Sequence, residues 1–166
     1  MVRTSLIAAV LLLAASLEAD EPVVDHQPVV CSIPGKHARI CSYVADDGEV
    51  KRVRVYFRAE NEDAFYYSDM AFDGIQYCAT LPVPKGSVKV VEYYVWAVDD
   101  EFHAQRTRTY KIFFVPESPC EYPVLDEDPE RTSSLVVHAT SSKQGDSVEG
   151  FEADGIRELV TLGRKK

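Results

Sequence analysis

The chain is 166 residues long, and 46% of its residues are hydrophobic while 27% are charged. This composition is typical of a folded globular protein and excludes a largely disordered chain. The 27 acidic and 18 basic residues give a formal net charge of -9, which argues against nucleic acid as a partner because its phosphate backbone would be repelled.

The N-terminus has the pattern of a secretory signal peptide. Arg3 precedes an apolar run from residue 6 to 15, and small and polar residues follow it up to Ala19. The run is shorter than the roughly 20 apolar residues that a membrane-spanning helix needs. We therefore predict that residues 1–19 are cleaved off and leave a periplasmic or extracellular protein. The alternative is an uncleaved segment that anchors the chain to the membrane.

Residues 20–28 read as an acidic linker with two prolines. From residue 29 to 115, short segments in which apolar and polar residues alternate are separated by turn residues, a pattern typical of an antiparallel sandwich. The alternation predicts seven strands, at residues 29–32, 38–45, 50–58, 64–70, 75–81, 88–98 and 106–115.

Alternation also assigns a core side and an outer side to each predicted strand, because successive side chains point to opposite faces of a sheet. It is clearest on the third and sixth strands, where apolar residues recur at every second position. The predicted core residues of these two strands are Val53, Val55, Phe57, Val91, Tyr93, Val95 and Ala97.

The end of the chain has a different composition. Residues 116–133 are acidic and rich in proline, which predicts a second linker. Residues 134–166 form a C-terminal extension in which 134–140 read as a strand. The last segment is either a hairpin that turns at 153–155 or a helical turn over 156–162. The extension has too little apolar surface to fold alone, so we expect it to pack on the sandwich or on a partner.

The order of these segments resembles a known class of modules. Residues 44–58 (VADDGEVKRVRVYFR), 70–82 (MAFDGIQYCATLP), 91–101 (VEYYVWAVDDE) and 110–115 (YKIFFV) together resemble the fibronectin type III-like, immunoglobulin-like modules of exported bacterial proteins. The resemblance covers about residues 29–115. It implies an all-β fold, a seven-stranded antiparallel sandwich with a short C-terminal β or mixed extension. Such modules serve as spacers, adhesion units or ligand-binding domains.

Export predicts that the four cysteines form disulfides, and four cysteines allow three pairings. The resemblance implies that the second and fifth predicted strands are antiparallel neighbours. Cys41 and Cys78 would then lie at similar height on one outer face. The resemblance thus implies a Cys41–Cys78 disulfide and leaves Cys31 and Cys120 as the second pair.

The same topology would gather three acidic turns at one pole. Calcium takes roughly six to eight oxygen ligands, and the turn carboxylates would supply several of them. The alternative is that Asp and Gly occur there only because turns favour them. We expect no other cofactor. The candidate calcium ligands are Asp46, Asp47, Asp73, Asp99 and Asp100.

A second candidate site is the outer face of the third and sixth predicted strands, with Tyr66 and Tyr67 near its edge. Aromatic rings interleaved with arginines bind protein partners or stack on sugars. Two alternatives are a cross-strand ladder that only stabilises the sheet, and a face covered by the C-terminal extension. The candidate ligand-binding residues are Arg54, Tyr56, Tyr94 and Trp96.

The sequence contains no known catalytic motif. The four histidines are scattered without a metal-ligand spacing, and there is no nucleophile elbow or phosphate-binding glycine loop. We therefore predict a non-catalytic binding or structural accessory module with a protein partner of the cell envelope. The alternative is a carbohydrate-binding module that uses the face with Arg54 and Trp96.

Overall fold

A computed structural model of the chain describes residues 20–116 and 134–162. Regular structure within these ranges consists of twelve β-strands. No helix in these ranges is long and apolar enough to cross a membrane. The strands are β1 (Val23–Asp25), β2 (Cys31–Ser32), β3 (Arg39–Ala45), β4 (Val50–Ala59), β5 (Tyr66–Asp69), β6 (Ala71–Phe72), β7 (Tyr77–Thr80), β8 (Val90–Asp99), β9 (Ala104–Arg106), β10 (Tyr110–Phe114), β11 (Leu135–Ala139) and β12 (Ile156–Val160).

The strands form two sheets. The smaller sheet has four strands in the order β1-β3-β7-β6. The larger sheet has eight strands. Seven follow the order β12-β11-β5-β4-β8-β10-β2. The eighth, β9, pairs with the second half of β8, next to the stretch that pairs with β10. Neighbouring strands are antiparallel except for β10 with β2 and β11 with β12.

Both sheets pack over one hydrophobic core, as the alternation predicts. The core residues predicted on β4 and β8 are all buried, with at most 2% of each exposed. Ile40 and Val44 of the smaller sheet belong to the same cluster. Burial of this apolar surface from water is the main favourable contribution to folding.

The prediction of seven strands is too low, because the segments between predicted strands also contain short strands. The predicted strand 64–70 supplies β5 to the larger sheet, and after the buried Met70 the chain continues as β6 in the smaller one. The predicted strand 106–115 contains β10, and the short strand β9 lies mostly before it. Three further strands lie outside the predicted sandwich: β1 in the predicted linker 20–28, and β11 and β12 in the extension.

The C-terminal extension packs on the two-sheet core, as expected. β11 pairs with β5 and thereby lengthens the larger sheet. The ring of Phe151 meets that of Phe57 edge to face, with centroids 5.3 Å apart. The last segment differs from both predicted alternatives, since β12 runs parallel to β11.

Candidate functional site

β3 and β7 place Cys41 directly opposite Cys78. Their Cα atoms are 4.2 Å apart, and the two residues form a disulfide. This confirms the predicted Cys41–Cys78 pairing. Cys31 is also disulfide-bonded, while its predicted partner Cys120 lies outside the described residues, as do the predicted signal peptide 1–19 and the linker from 117 to 133.

Four aromatic side chains form a row across β11, β5, β4 and β8. The strand register places His138 opposite Tyr67, Tyr67 opposite Tyr56, and Tyr56 opposite Tyr94. Directly opposed residues share a face of the sheet, so their rings can touch. The ring centroids along this aromatic row are 4.6, 5.3 and 4.8 Å apart, and the first and last pairs are stacked.

A second row lies beside the aromatic row on the same face. Asp69, Arg54, Trp96 and Arg106 are directly opposed along β5, β4, β8 and β9. Arg54 Nε donates a hydrogen bond of 2.9 Å to Asp69 Oδ1. We call this the charged row, and the two rows together the Arg-aromatic face.

The arginines connect the two rows. The guanidinium of Arg54 lies 4.1 Å from the ring centroid of Tyr67 and 5.7 Å from that of Trp96. The guanidinium of Arg106 lies 5.1 Å from the ring centroid of Tyr94. Such cation–π contacts each contribute about 0.5–1 kcal/mol at exposed sites.

An ion-pair cluster borders the face where β4 ends and β8 begins. Arg58 donates hydrogen bonds of 2.9 and 2.8 Å from Nε and Nη2 to Glu92 Oε2, and Lys111 Nζ lies 3.3 Å from Glu92 Oε1. The hydrogen bonds from Arg58, and secondarily those from Lys111, hold the pKa of Glu92 below its usual value. The Arg58 guanidinium also lies over the ring of Phe65. Both cations at this border therefore have a carboxylate partner.

The Arg-aromatic face is accessible to solvent within the described structure. The four predicted residues of the site, Arg54, Tyr56, Tyr94 and Trp96, are brought together, and each is partly exposed. The described part of the extension lies beside the face, because β11 continues the sheet past β5. Tyr67 joins the face, whereas Tyr66, also predicted near its edge, is buried in the core with 1% exposed.

The rings of the aromatic row largely cover one another. Tyr56 lies between Tyr67 and Tyr94, while Tyr67 also contacts His138 and Arg54. Side chains on a strand stand roughly perpendicular to the sheet. Rings stacked side by side on such a surface therefore present edges rather than open faces to a ligand.

His138 and Arg106 also belong to the face, although neither was among its predicted residues. His138 belongs to β11, and its place became apparent only from the pairing of β11 with β5, which no local pattern reveals. Arg106 is the last residue of β9, and the alternation along β8 and β9 would have placed it beside Trp96 had the short β9 been recognised.

Two of the three acidic turns meet. Glu49 N–H donates to Asp100 Oδ1 (3.3 Å), and Asp100 N–H donates to the Glu49 carbonyl (3.1 Å). Asp46 Oδ2 accepts from Gly48 N–H, while its Oδ1 is buried and has no hydrogen-bond partner in the described structure. One oxygen of Asp46 and one of Asp100 thus lie within about 3.2 Å of the point that a Cβ on Gly48 would occupy.

The other candidate calcium ligands are placed differently. Asp99 is buried and holds its own turn by accepting from His103 N–H at 2.8 Å. Asp73 accepts from Gln76 N–H in a separate turn and lies 3.6 Å from Arg39. Asp47 is exposed. In the two described ranges, no group of three or more His, Cys, Asp or Glu side chains is placed to hold a metal ion, and calcium binding stays a prediction.

One histidine joins the two sheets. His26 is buried, and its Nδ1 lies 2.8 Å from the Cys41 carbonyl. A carbonyl oxygen only accepts, so Nδ1 donates, and Nε2 of the neutral ring accepts from the Tyr93 hydroxyl at 2.8 Å. The Val29 N–H completes the chain by donating to that hydroxyl. Burial lowers the pKa of His26, which suits this neutral form.

No protein-family model and no curated protein matches this sequence. Among solved structures, the chain is similar to an arginine-to-glutamate mutant of the SrpA adhesin from Streptococcus sanguinis. The match has 12% sequence identity, a TM-score of 0.39 and 57% coverage of each chain. The chain therefore spans little more than half of that protein's length, and a likeness of this degree carries no argument about function.

Proposed function

We propose that the chain is a non-catalytic, exported binding module that recognises a protein partner of the cell envelope through its Arg-aromatic face. The observation that carries this proposal is the solvent-accessible pair of cross-strand rows. Tyrosine, tryptophan and arginine dominate the binding energy of protein interfaces, because they bury large areas while keeping a polar group. This face supplies all three residue types on one rigid sheet.

The strand order supports a fibronectin-like or immunoglobulin-like assignment within this proposal. The smaller sheet, β1-β3-β7-β6, has the order of the first, second, fifth and fourth strands of an immunoglobulin sandwich. The larger sheet contains β4, β8 and β10, which correspond to the third, sixth and seventh. β11 and β12 are additions beyond the edge strand β5. The Cys41–Cys78 disulfide agrees with export to an oxidising compartment.

The ring geometry favours a protein partner over a carbohydrate. A sugar ring stacks on the open face of an aromatic ring, but Tyr56 and Tyr67 have neighbours against their faces. Ring edges and guanidinium groups suit the hydrogen-bonding and apolar groups of a peptide chain better. Trp96 meets the ring of Tyr56 edge to face, with centroids 6.5 Å apart, rather than stacking on it, and the carbohydrate alternative depends on Trp96.

The experiment is affinity capture from envelope extracts, with chemical crosslinking, followed by direct binding of the purified partner. The test variant is Tyr56→Ala/Trp96→Ala. The matched control is Tyr43→Ala, which removes an exposed tyrosine from the smaller sheet. Wild type and control should bind one partner alike, and the test variant should bind it at least about tenfold more weakly. Thermal melting of each variant verifies that it is folded.

Two outcomes would overturn the proposal. Equal partner binding by the test variant would show that the Arg-aromatic face only stabilises the sheet. Binding on a glycan array that disappears in Tyr56→Ala/Trp96→Ala, without a protein partner, would instead support the carbohydrate-binding alternative.

A further inference from the structure

Among the arginines of β4 and β9, two have no carboxylate within ion-pair distance in the residues that the structure describes. Arg54 is paired with Asp69, and Arg58 with Glu92. Arg52 and Arg106 are exposed and belong to no such pair. Within the described residues, this side of the sheet therefore carries two guanidinium groups without a carboxylate partner, although the whole chain has a formal net charge of -9.

These two arginines lie near Trp96. Arg106 is directly opposite Trp96 on β9, with its guanidinium over the ring of Tyr94. Arg52 lies opposite Val98, two residues further along β8 on the same face as Trp96. Arg54 stands opposite Trp96 on its other side. Three arginines therefore occupy positions beside Trp96 in the strand register. Among the described residues, a carboxylate pairs with Arg54 but not with Arg52 or Arg106.

Paired and unpaired arginines have different consequences for binding. An arginine that already contacts a carboxylate gains little from a second one, whereas an unpaired guanidinium offers a planar fork that matches a carboxylate in two parallel hydrogen bonds. The contact with Tyr94 restrains the Arg106 guanidinium before binding, which reduces the entropy lost when a ligand orders it. A local positive charge on an acidic protein also attracts anionic partners and selects against basic ones.

We propose that the segment recognised by the Arg-aromatic face is acidic, and that its carboxylates bind Arg52 and Arg106 on either side of Trp96. This inference rests on the proposed function and specifies the chemistry of its partner. A peptide is favoured over an acidic polysaccharide because the tyrosine ring faces that a sugar would use are covered by neighbouring side chains.

The test is an NMR titration of the full exported chain with a short synthetic peptide in which Glu alternates with Ser. The matched probe is the same peptide with Gln in place of Glu. The Glu peptide should shift the Trp96 indole N–H and Arg106 signals, and the Gln peptide should not. Binding should weaken with added salt, because exposed charges are screened. Arg52→Gln/Arg106→Gln should bind the Glu peptide at least about tenfold more weakly, while Arg157→Gln, an exposed arginine of β12, should bind it normally.

Equal binding of the two peptides, or unchanged binding by Arg52→Gln/Arg106→Gln, would overturn the inference. Binding of polygalacturonate in preference to the Glu peptide would also overturn it, since the carboxylates would then belong to a sugar. Failure of the proposed function can be distinguished from failure of this inference by comparing how the two double variants bind the envelope partner. If the envelope partner is lost by Tyr56→Ala/Trp96→Ala but retained by Arg52→Gln/Arg106→Gln, the face binds a partner that is not acidic. If neither variant changes partner binding, both proposals fail.

Discussion

Gly150 in the C-terminal extension lies so close to Ala59 of β4 that a Cβ atom on Gly150 would overlap the Cβ of Ala59. Gly150 also has a φ of +82°, a conformation that residues with a side chain rarely adopt. Its carbonyl accepts from Lys85 N–H at 2.9 Å, and the Glu152 N–H donates to Val83 at 2.8 Å. The extension is therefore fixed against the core at a point where only glycine fits.

The substitution Gly150→Ala should destabilise the protein by about 2–4 kcal/mol, because it adds both an overlap and backbone strain. The control is Gly145→Ala, where nothing lies within 4 Å of the added Cβ, and it should change stability by less than about 1 kcal/mol. Urea unfolding measures the change in the free energy of unfolding for both substitutions. Equal effects of the two substitutions would contradict the close approach of the extension to β4.

Removal of the Cys41–Cys78 disulfide should also destabilise the protein. The crosslink joins residues 37 positions apart, and closing a loop of that length stabilises by about 4 kcal/mol in the chain-entropy model. The variant Cys41→Ala/Cys78→Ala should lose most of this stabilisation, as measured by urea unfolding under non-reducing conditions. A loss below about 1 kcal/mol would mean that residual structure already restricts the unfolded chain or that the crosslink is strained.

Local alternation was sufficient to predict which side of β4 and β8 is buried. Val55 and Tyr56 fall on opposite sides simply because neighbouring residues on a strand do so. That same alternation brought Arg54, Tyr56, Tyr94 and Trp96 to one face, since β4 and β8 are long and pair over most of their length.

Pairing between distant strands could not be predicted in this way. His138 stacks on Tyr67, 71 positions earlier in the chain, and nothing in either segment specifies the partner. The change of sheet at Met70 was missed for a related reason: alternation of buried residues continues through Ser68 and Met70, and no glycine or proline marks the break. Such features depend on how the whole core closes.

The stacked pair Tyr56 and Tyr94 should show a measurable coupling energy. In a double-mutant cycle with leucine at each position, we expect a coupling of about 0.5–1.5 kcal/mol, because stacked rings gain energy beyond their buried area. The control cycle pairs Tyr56 with Tyr43 of the smaller sheet, and its coupling should be zero within about 0.5 kcal/mol. Equal couplings in the two cycles would contradict a specific stacking contact between Tyr56 and Tyr94.

Calcium binding at the acidic turns can be tested by thermal melting. The buried, unpaired Asp46 Oδ1 and the nearby Asp100 are the strongest reason to expect it. If calcium reaches ten times its Kd, the folded state gains about 1.4 kcal/mol and Tm rises. Asp46→Asn/Asp100→Asn should abolish the rise, whereas Asp73→Asn should keep it, because Asp73 bonds within a separate turn. An unchanged Tm of the wild type at millimolar calcium would contradict the predicted site.

His26 should make stability depend on pH. Its pKa is lowered from 6.5, chiefly because burial disfavours the charged imidazolium. Below about pH 6.5 the unfolded chain takes up a proton that the folded chain does not, so the free energy of unfolding falls as the pH decreases. This stability is fully present above pH 6.5 and is lost as the pH falls through the lowered pKa, with a slope of at most about 1.4 kcal/mol per pH unit.

The measurement is urea unfolding between about pH 7.5 and 5.5, the range in which a histidine of the unfolded chain gains its proton while carboxylates stay ionised. At the upper end of this pH range, His26→Gln should be less stable than wild type, because the hydrogen bonds to Cys41 and Tyr93 are disturbed. Its stability should depend less on pH, because the histidine is gone. Glu92 does not interfere, because its pKa is lowered from 4.5 and its contribution to stability is constant above that pH and lost only below it. A slope in His26→Gln equal to that of wild type would show that another group is responsible for the pH dependence.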